Sequence, residues 1–214
     1  MRYICAMAQR YEAVLFDLLT ALIDSWTLWN RVAGSEAAGR RWRAAYLELT
    51  YGCGSYEPYE SLVARAAEQT GMPAGAAAAL EAAWGTLEPW NDAVLLLDSL
   101  KGKVRLGVVT NCSKRLGHQA ARLFDVPWDV VITAEAAGYY KPQPRPYQMA
   151  LEALGLPAQR VLFVAGSGFD LIGTARAGLD AYWHNRVGLK PPPGAPAPLQ
   201  ESRDLNAVSS LVFS

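Results

Sequence analysis

Three short apolar runs, each ending in polar or small residues, constrain the fold of this chain most strongly. They read AVLFD (13–17), VRLGVVTN (104–111) and RVLFVAG (160–166). Each is rich in Val, Leu and Phe with little polar alternation, which is typical of strands covered on both faces by helices. Two weaker runs, DVVITA (129–134) and DAYWHN (180–185), add a fourth and a fifth candidate strand.

Helical segments are predicted between these strands. They cover residues 91–100, 114–124, 144–154 and 170–177. Strands that alternate with helices predict an α/β fold in which a parallel sheet is doubly wound. We therefore expect a Rossmann-like core.

The segment 25–89 differs from the rest because it contains no convincing strand and is rich in Ala, Leu, Glu and Arg. We interpret it as three or four helices that form a cap domain, inserted into a core made of residues 11–24 and 90–214. Near the end, the Pro-rich stretch 189–200 predicts an extended surface crossover before a short helix at about 205–213.

Composition excludes several classes of function. The 214 residues are 51% hydrophobic, and 20 Lys and Arg balance 20 Asp and Glu. Hydrophobicity at this level predicts a packed core, and a net charge of zero argues against a nucleic-acid surface. No apolar run is long enough to span a bilayer, and residues 1–13 lack the apolar region of a signal peptide.

The cysteines indicate neither a disulfide framework nor a zinc site. There are three of them, Cys5, Cys53 and Cys112, and none is in a CxxC pattern. Reduced thiols are the simplest interpretation of an odd number without metal spacing. We therefore expect a cytoplasmic protein that binds neither nucleic acid nor membrane.

The polar residues at the strand ends are the candidate functional residues. In an open parallel sheet, ligands bind beyond the carboxyl ends of the strands. Asp17 ends the first run, Thr110 and Asn111 end the second, and the loop 165–170 follows the third. The sequence therefore predicts that these side chains meet at one edge of the sheet.

Asp17, Thr110, Lys141 and Asp170, in this order along the chain, resemble the four motifs of the haloacid dehalogenase superfamily. That family has a nucleophilic Asp, a Ser or Thr, a Lys and one or more acidic residues, and it inserts a cap where segment 25–89 lies. The resemblance covers nearly the whole chain. It implies hydrolysis that begins with attack by Asp17.

The first and fourth motifs depart from the phosphatases of this superfamily. Those enzymes read DxDGT in the first motif, where the second Asp is a general acid and base, but Leu19 stands there in this chain. They read GDxxxD in the fourth motif, where Gly166 replaces the first acid. Both changes count against magnesium-dependent phosphoryl transfer, which would have only Asp17 and Asp170 as metal ligands.

The same departures resemble the L-2-haloacid dehalogenases, which lack the second Asp and need no metal. WRAAYLELTY (42–51) is similar to their cap helix, and YKPQPRPY (140–147) to their Lys segment. The usual DxYGT is changed at Leu19, Thr20 and Ala21, so the hydroxyl of the final Thr is missing or displaced. The usual SSN of the fourth motif is replaced by Ala165–Ser167.

The resemblance implies two sets of site residues. In the first, Asp17 attacks, Lys141 lowers its pKa, Asp170 holds Lys141 and helps to deprotonate water, and a hydroxyl binds the nucleophile or the substrate carboxylate. In the second, an Arg and an Asn cradle the departing halide or another anion. The catalytic candidates are Asp17, Lys141, Asp170 and Thr110, and the substrate or halide-binding candidates are Arg43, Asn111, Ser167 and Tyr147.

Three functions stay open at this point. The leading one is metal-independent hydrolysis of a 2-haloacid through an aspartyl ester, with a small anionic acid as substrate and no cofactor. The second is a magnesium-dependent phosphatase that acts on small molecules. The third is a binding protein with this fold and no catalysis. Dimers are common in the family, which makes a homodimer an expectation.

Overall fold

The computed structural model describes residues 9–214. Cys5 and the other residues of 1–8 lie outside the described residues. Six strands form one sheet in the order β3-β2-β1-β4-β5-β6, and every neighbouring pair is parallel. The strands are β1 (Ala13–Phe16), β2 (Arg105–Thr110), β3 (Val130–Thr133), β4 (Val161–Ala165), β5 (Asp180–His184) and β6 (Gln200–Ser202).

Ten α-helices surround this sheet in the described part of the chain. Most begin and end close to the predicted bounds, although α6 stops three residues earlier and α9 starts two residues earlier than expected. The α/β doubly wound fold predicted from the apolar runs is confirmed. The helices are α1 (Ser25–Val32), α2 (Glu36–Gly52), α3 (Tyr59–Gln69), α4 (Ala76–Ala82), α5 (Asn91–Leu100), α6 (Lys114–Ala121), α7 (Ala134–Ala137), α8 (Pro144–Leu154), α9 (Gly168–Ala177) and α10 (Val208–Val212).

The central position of β1 sets the place of the site. Its last residue, Phe16, pairs with Val108 of β2 on one side and with Val164 of β4 on the other. All four side chains of β1 are buried, as expected for a strand with helices on both faces. Asp17 therefore emerges between the carboxyl ends of β2 and β4.

The chain leaves the sheet before helices α1–α4 and returns to it after them at nearly the same point. Ile23 and Pro89 form an isolated antiparallel bridge, and the Asp24 N–H donates to the Glu88 carbonyl at 2.9 Å. Asp24 also caps α1 by accepting a hydrogen bond from the Thr27 backbone, as residues of this type do at helix N-termini. This entry and exit hold the helices over the carboxyl edge of the sheet.

The sixth strand is a feature that the sequence reasoning missed. The Pro-rich stretch does run without regular structure at first, but β6 then pairs with β5 from Gln200 to Ser202. The final helix is shorter than predicted, at Val208–Val212. No helix within the described range is both long enough and apolar enough to traverse a bilayer.

Candidate active site

Three buried charged side chains meet at the carboxyl edge of the sheet. The Lys141 ammonium lies 2.8 Å from Asp17 Oδ1 and 2.9 Å from Asp170 Oδ1. The exposed fractions of these side chains are 5% for Lys141, 9% for Asp17 and 4% for Asp170. Buried charges are tolerated when they are paired and hydrogen-bonded, and here one cation holds two carboxylates in fixed positions.

The second oxygen of Asp17 is held by the turn that follows β1. Asp17 Oδ2 accepts hydrogen bonds from Thr20 N at 3.1 Å, Thr20 Oγ1 at 2.7 Å and Ala21 N at 3.3 Å. The hydroxyl that the sequence left missing or displaced is thus supplied by Thr20. Sequence reasoning did not assign Thr20 to the site, because the hydroxyl was sought one residue later.

The two carboxylates have pKa values shifted in opposite directions. Burial on its own raises the pKa of Asp17, but the Lys141 ammonium and the Thr20 donors outweigh it and hold this pKa below its usual value. Burial raises the pKa of Asp170, and the nearby Asp17 charge adds to this effect against the opposing Lys141. Such divergence suits one ionised nucleophile and one proton acceptor.

Asn111 and Tyr147 each form hydrogen bonds with one of the charged residues. The Asn111 amide brackets the Lys141 backbone, donating to its carbonyl at 3.0 Å and accepting from its N–H at 2.7 Å. The Tyr147 hydroxyl donates to Asp170 Oδ1 at 2.9 Å. Asn111 also lines the cavity described below, whereas Tyr147 does not. The assignment of Tyr147 to a substrate or halide site stays a prediction, and in this structure its hydroxyl is hydrogen-bonded to Asp170.

A cavity of about 320 Å³ opens beside Asp17 and contains Arg43 in its wall. The Arg43 guanidinium donates to Ser25 Oγ at 2.9 Å and lies 4.0 Å from the centre of the Trp26 ring. It is buried and has no ion-pair partner within residues 9–214. Burial lowers the pKa of Arg43, yet an arginine stays protonated at neutral pH. An anion in the cavity would satisfy this charge.

Hydroxyl groups and aromatic rings line another part of this cavity. Thr110 Oγ1 is buried at the end of β2 and has no hydrogen-bond partner among the described atoms. Ser167 caps α9 and faces the same space. Tyr51 and Phe169 stack across the cavity wall with ring centroids 4.0 Å apart. Sequence reasoning did not assign Phe169 to the site, although it lies between Ser167 and Asp170.

The residues at the site fit a magnesium ion poorly. Magnesium prefers octahedral oxygen ligands that include carboxylates. Within residues 9–214, no group of three or more His, Cys, Asp or Glu side chains is placed to share a metal. A Cβ added to Gly166, where phosphatases carry an acid, would lie 2.4 Å from Asp17 Oδ2. The phosphatase alternative therefore lacks the ligands that it requires.

Comparison with known proteins gives a consistent result. A family model described as haloacid dehalogenase-like hydrolase matches residues 11–178. (S)-2-haloacid dehalogenase H-109 of Pseudomonas putida is 28% identical over 222 residues, which cover 96% of this chain and 99% of that protein. Pyrimidine 5'-nucleotidase YjjG of Escherichia coli is 31% identical over 129 residues, which cover 58% of this chain and 56% of that enzyme.

A solved structure extends the match to three dimensions. The crystal structure of the L-2-haloacid dehalogenase RSc1362 superposes with a TM-score of 0.84 and is 25% identical, covering 95% of this chain and 99% of that one. The relatives thus include enzymes named as dehalogenases and one named as a nucleotidase. Which of these two kinds of enzyme the chain resembles more closely depends on the residues at its site.

Proposed function

The chain belongs to the haloacid dehalogenase-like hydrolases, and we propose that it hydrolyses the carbon–halogen bond of a small 2-haloacid through an ester on Asp17, without a metal. Two relatives that align over almost the whole chain carry dehalogenase names. The nucleotidase aligns over only part of it.

The observation that carries the proposal is that Asp17 and Arg43 lie in the wall of the same small cavity. Asp17 is held ionised by Lys141, and Arg43 is a buried cation without an ion-pair partner in the described structure. A halide is a stable anion that leaves carbon without being protonated. The site therefore needs an anion acceptor and no acid for the leaving group, which agrees with Leu19 at the position of the phosphatase acid.

In the first step, Asp17 Oδ1 attacks the carbon that bears the halogen. The new O–C bond forms as the C–halogen bond breaks, and the halide departs with the electron pair towards Arg43. Lys141 holds Asp17 in line and keeps it ionised. Covalent catalysis of this kind divides a difficult displacement into two easier steps.

In the second step, water attacks the carbonyl carbon of the ester, and Asp170 accepts its proton. The raised pKa of Asp170 suits this role because it brings the carboxylate closer to the working pH. Tyr147 and Lys141 orient Asp170 through its Oδ1. The alkoxide of the product then leaves Asp17 and takes up the proton that Asp170 holds. The second proton of the water leaves the Asp17 carboxyl group to solvent, which regenerates the carboxylate.

The substrate carboxylate would bind opposite the halide subsite. Thr110 Oγ1 is a buried donor without a partner in the described structure, and Ser167 lies at the N-terminus of α9, where backbone N–H groups favour anions. The aromatic walls formed by Trp26, Tyr51 and Phe169 would enclose the carbon chain and exclude water.

We expect the purified protein to release chloride from one enantiomer of 2-chloropropionate and to keep its full rate in excess EDTA. The physical reason is that Lys141 keeps Asp17 ionised and Arg43 receives the departing halide, so that no step of the proposed mechanism needs a metal. Chloride release is followed directly, and p-nitrophenyl phosphate with added magnesium serves as the parallel substrate. Magnesium-dependent phosphate release without chloride release would contradict the proposal, and the absence of both activities would favour a binding protein.

Replacing Arg43 with Met should lower kcat/KM for the haloacid by about 10- to 100-fold, since a hydrogen bond to a charged group contributes about 1.5–3 kcal/mol. Arg40→Met is the matched control. Arg40 lines the same cavity, but its guanidinium is largely exposed and already bound to Glu36 at 2.8 Å. Equal losses in the two variants would argue against a specific anion subsite at Arg43.

A further inference from the structure

Thr20 and Gly166 share one small volume beside the nucleophile. A Cβ built on Gly166 would lie 2.4 Å from Thr20 Oγ1, 2.4 Å from Asp17 Oδ2 and 2.6 Å from Ala21 N. These separations are below van der Waals contact, so no side chain can be added at residue 166 while the turn keeps its position. The absence of a side chain at Gly166 is what allows the Thr20 hydroxyl to reach Asp17.

The two oxygens of Asp17 therefore have different surroundings. Oδ2 accepts three hydrogen bonds, from Thr20 N, Thr20 Oγ1 and Ala21 N. Oδ1 accepts one, from Lys141 Nζ at 2.8 Å. A carboxylate oxygen has two lone-pair directions, so Oδ2 is saturated while Oδ1 retains capacity to form a bond. This asymmetry assigns nucleophilic attack to Oδ1.

The turn that provides the three donors is itself fixed. Trp90 Nε1 donates to the Thr20 carbonyl at 3.1 Å. His184 Nδ1 lies 2.7 Å from the Ala21 carbonyl, and His184 Nε2 accepts from Arg186 Nε at 3.1 Å, so the ring proton is on Nδ1 and is donated to Ala21. Both peptide groups are thus held before any reaction begins, which is the condition for electrostatic preorganisation.

We propose that Thr20 Oγ1 is a catalytic donor which completes an oxyanion site around Asp17 Oδ2 and accelerates hydrolysis of the aspartyl ester, not its formation. The inference rests on the proposed function, since it requires an ester on Asp17 Oδ1. It gives Thr20, which stands at the Gly position of the usual DxYGT motif, a role in one defined step of the reaction.

The charge changes of the two steps explain why only one of them depends on Thr20. During alkylation the carboxylate loses its negative charge, so donors to Oδ2 stabilise the reactant more than the transition state. During hydrolysis the oxygen of water bonds to the carboxyl carbon, its proton goes to Asp170, and the electron pair of the C–O double bond moves onto Oδ2. Collapse of this intermediate breaks the bond from Cγ of Asp17 to Oδ1, so that Oδ1 leaves with the substrate carbon and takes up the proton from Asp170, which gives the 2-hydroxyacid. The oxygen of water stays in the Asp17 carboxyl group, and its remaining proton is lost to solvent.

The test separates the two steps in the full-length protein. Rapid-quench samples with 2-chloropropionate are analysed by mass spectrometry for the ester on Asp17 and for halide released in the first turnover. In Thr20→Val, which preserves the side-chain shape, we expect ester hydrolysis to slow by about 10²-fold, the effect of removing one such donor. Alkylation should be unchanged or faster, so that the ester accumulates.

Thr20→Ser is the matched control because it keeps the hydroxyl, and it should hydrolyse the ester nearly as fast as the wild type. Thr20→Ala removes the hydroxyl without a branched side chain and replaces Thr20→Val if that variant does not fold. Loss of alkylation equal to the loss of hydrolysis, or unchanged hydrolysis, would overturn the role of Thr20 while leaving the ester mechanism intact. A wild type that releases no halide and forms no ester would instead refute the proposed function and this inference with it.

Discussion

Replacing Asp17 with Asn should abolish halide release, by about 10⁴-fold or more, because loss of a nucleophile removes the chemical step itself. A neutral amide oxygen is a poor nucleophile towards carbon. Two measurements check this result. Halide release is followed over long incubations, and the protein mass is measured after exposure to substrate. The wild type should show the ester mass transiently, and Asp17→Asn should never show it.

The fold should persist in Asp17→Asn, because Lys141 keeps its second partner, Asp170, at 2.9 Å. Asp24→Asn is the matched control. It removes one carboxylate seven residues away that caps α1 and lies outside the cavity wall, and Asn caps helices about as well as Asp. An undiminished rate in Asp17→Asn, or an equal loss in Asp24→Asn, would remove Asp17 from the role of nucleophile.

The strands at the centre of the sheet could be predicted because burial on both faces leaves a clear pattern in the sequence. β1 and β4 are apolar throughout, and β2 nearly so. β6 leaves no such pattern, since its residues Gln200 to Ser202 are exposed or half-buried. It is held by backbone hydrogen bonds to β5, which depend on where the Pro-rich segment returns and not on side-chain polarity.

The residues of the site likewise include some that could be identified from the sequence and some that could not. Asp17 and Asp170 could be identified because they interrupt or follow apolar runs at strand ends, and Lys141 because of its motif. Thr20 could not be identified, since its contact with Asp17 depends on the path of the turn and on the missing side chain of Gly166. The contact of Tyr147 with Asp170 was likewise invisible, because it joins two helices, α8 and α9, that pack side by side.

Replacing Lys141 with Met should remove activity and destabilise the fold together. Two buried carboxylates would lose their shared cation, and breaking a buried ion pair from one side commonly destabilises by about 3–5 kcal/mol. Lys101→Met is the matched control. The Lys101 ammonium bonds the exposed Asp125 at 3.0 Å, and a surface pair of this kind contributes about 0–1 kcal/mol. Denaturant unfolding at pH 7 compares the two variants.

The pH dependence of Lys141→Met distinguishes loss of charge from loss of packing. In the wild type, Lys141 holds the pKa of Asp17 below its usual value. This lowered pKa stabilises the fold at pH values above the carboxyl pKa of the unfolded chain, and the stabilisation is lost as the pH falls through the pKa of the folded state. Without Lys141, burial raises the pKa of both carboxylates above their unfolded values. The folded variant then binds protons more readily than the unfolded chain, so its deficit relative to the wild type should shrink as pH falls from 7 through the ordinary carboxyl range. A deficit that is independent of pH would mean that Lys141 stabilises the site by packing, and the electrostatic account of the nucleophile would fail.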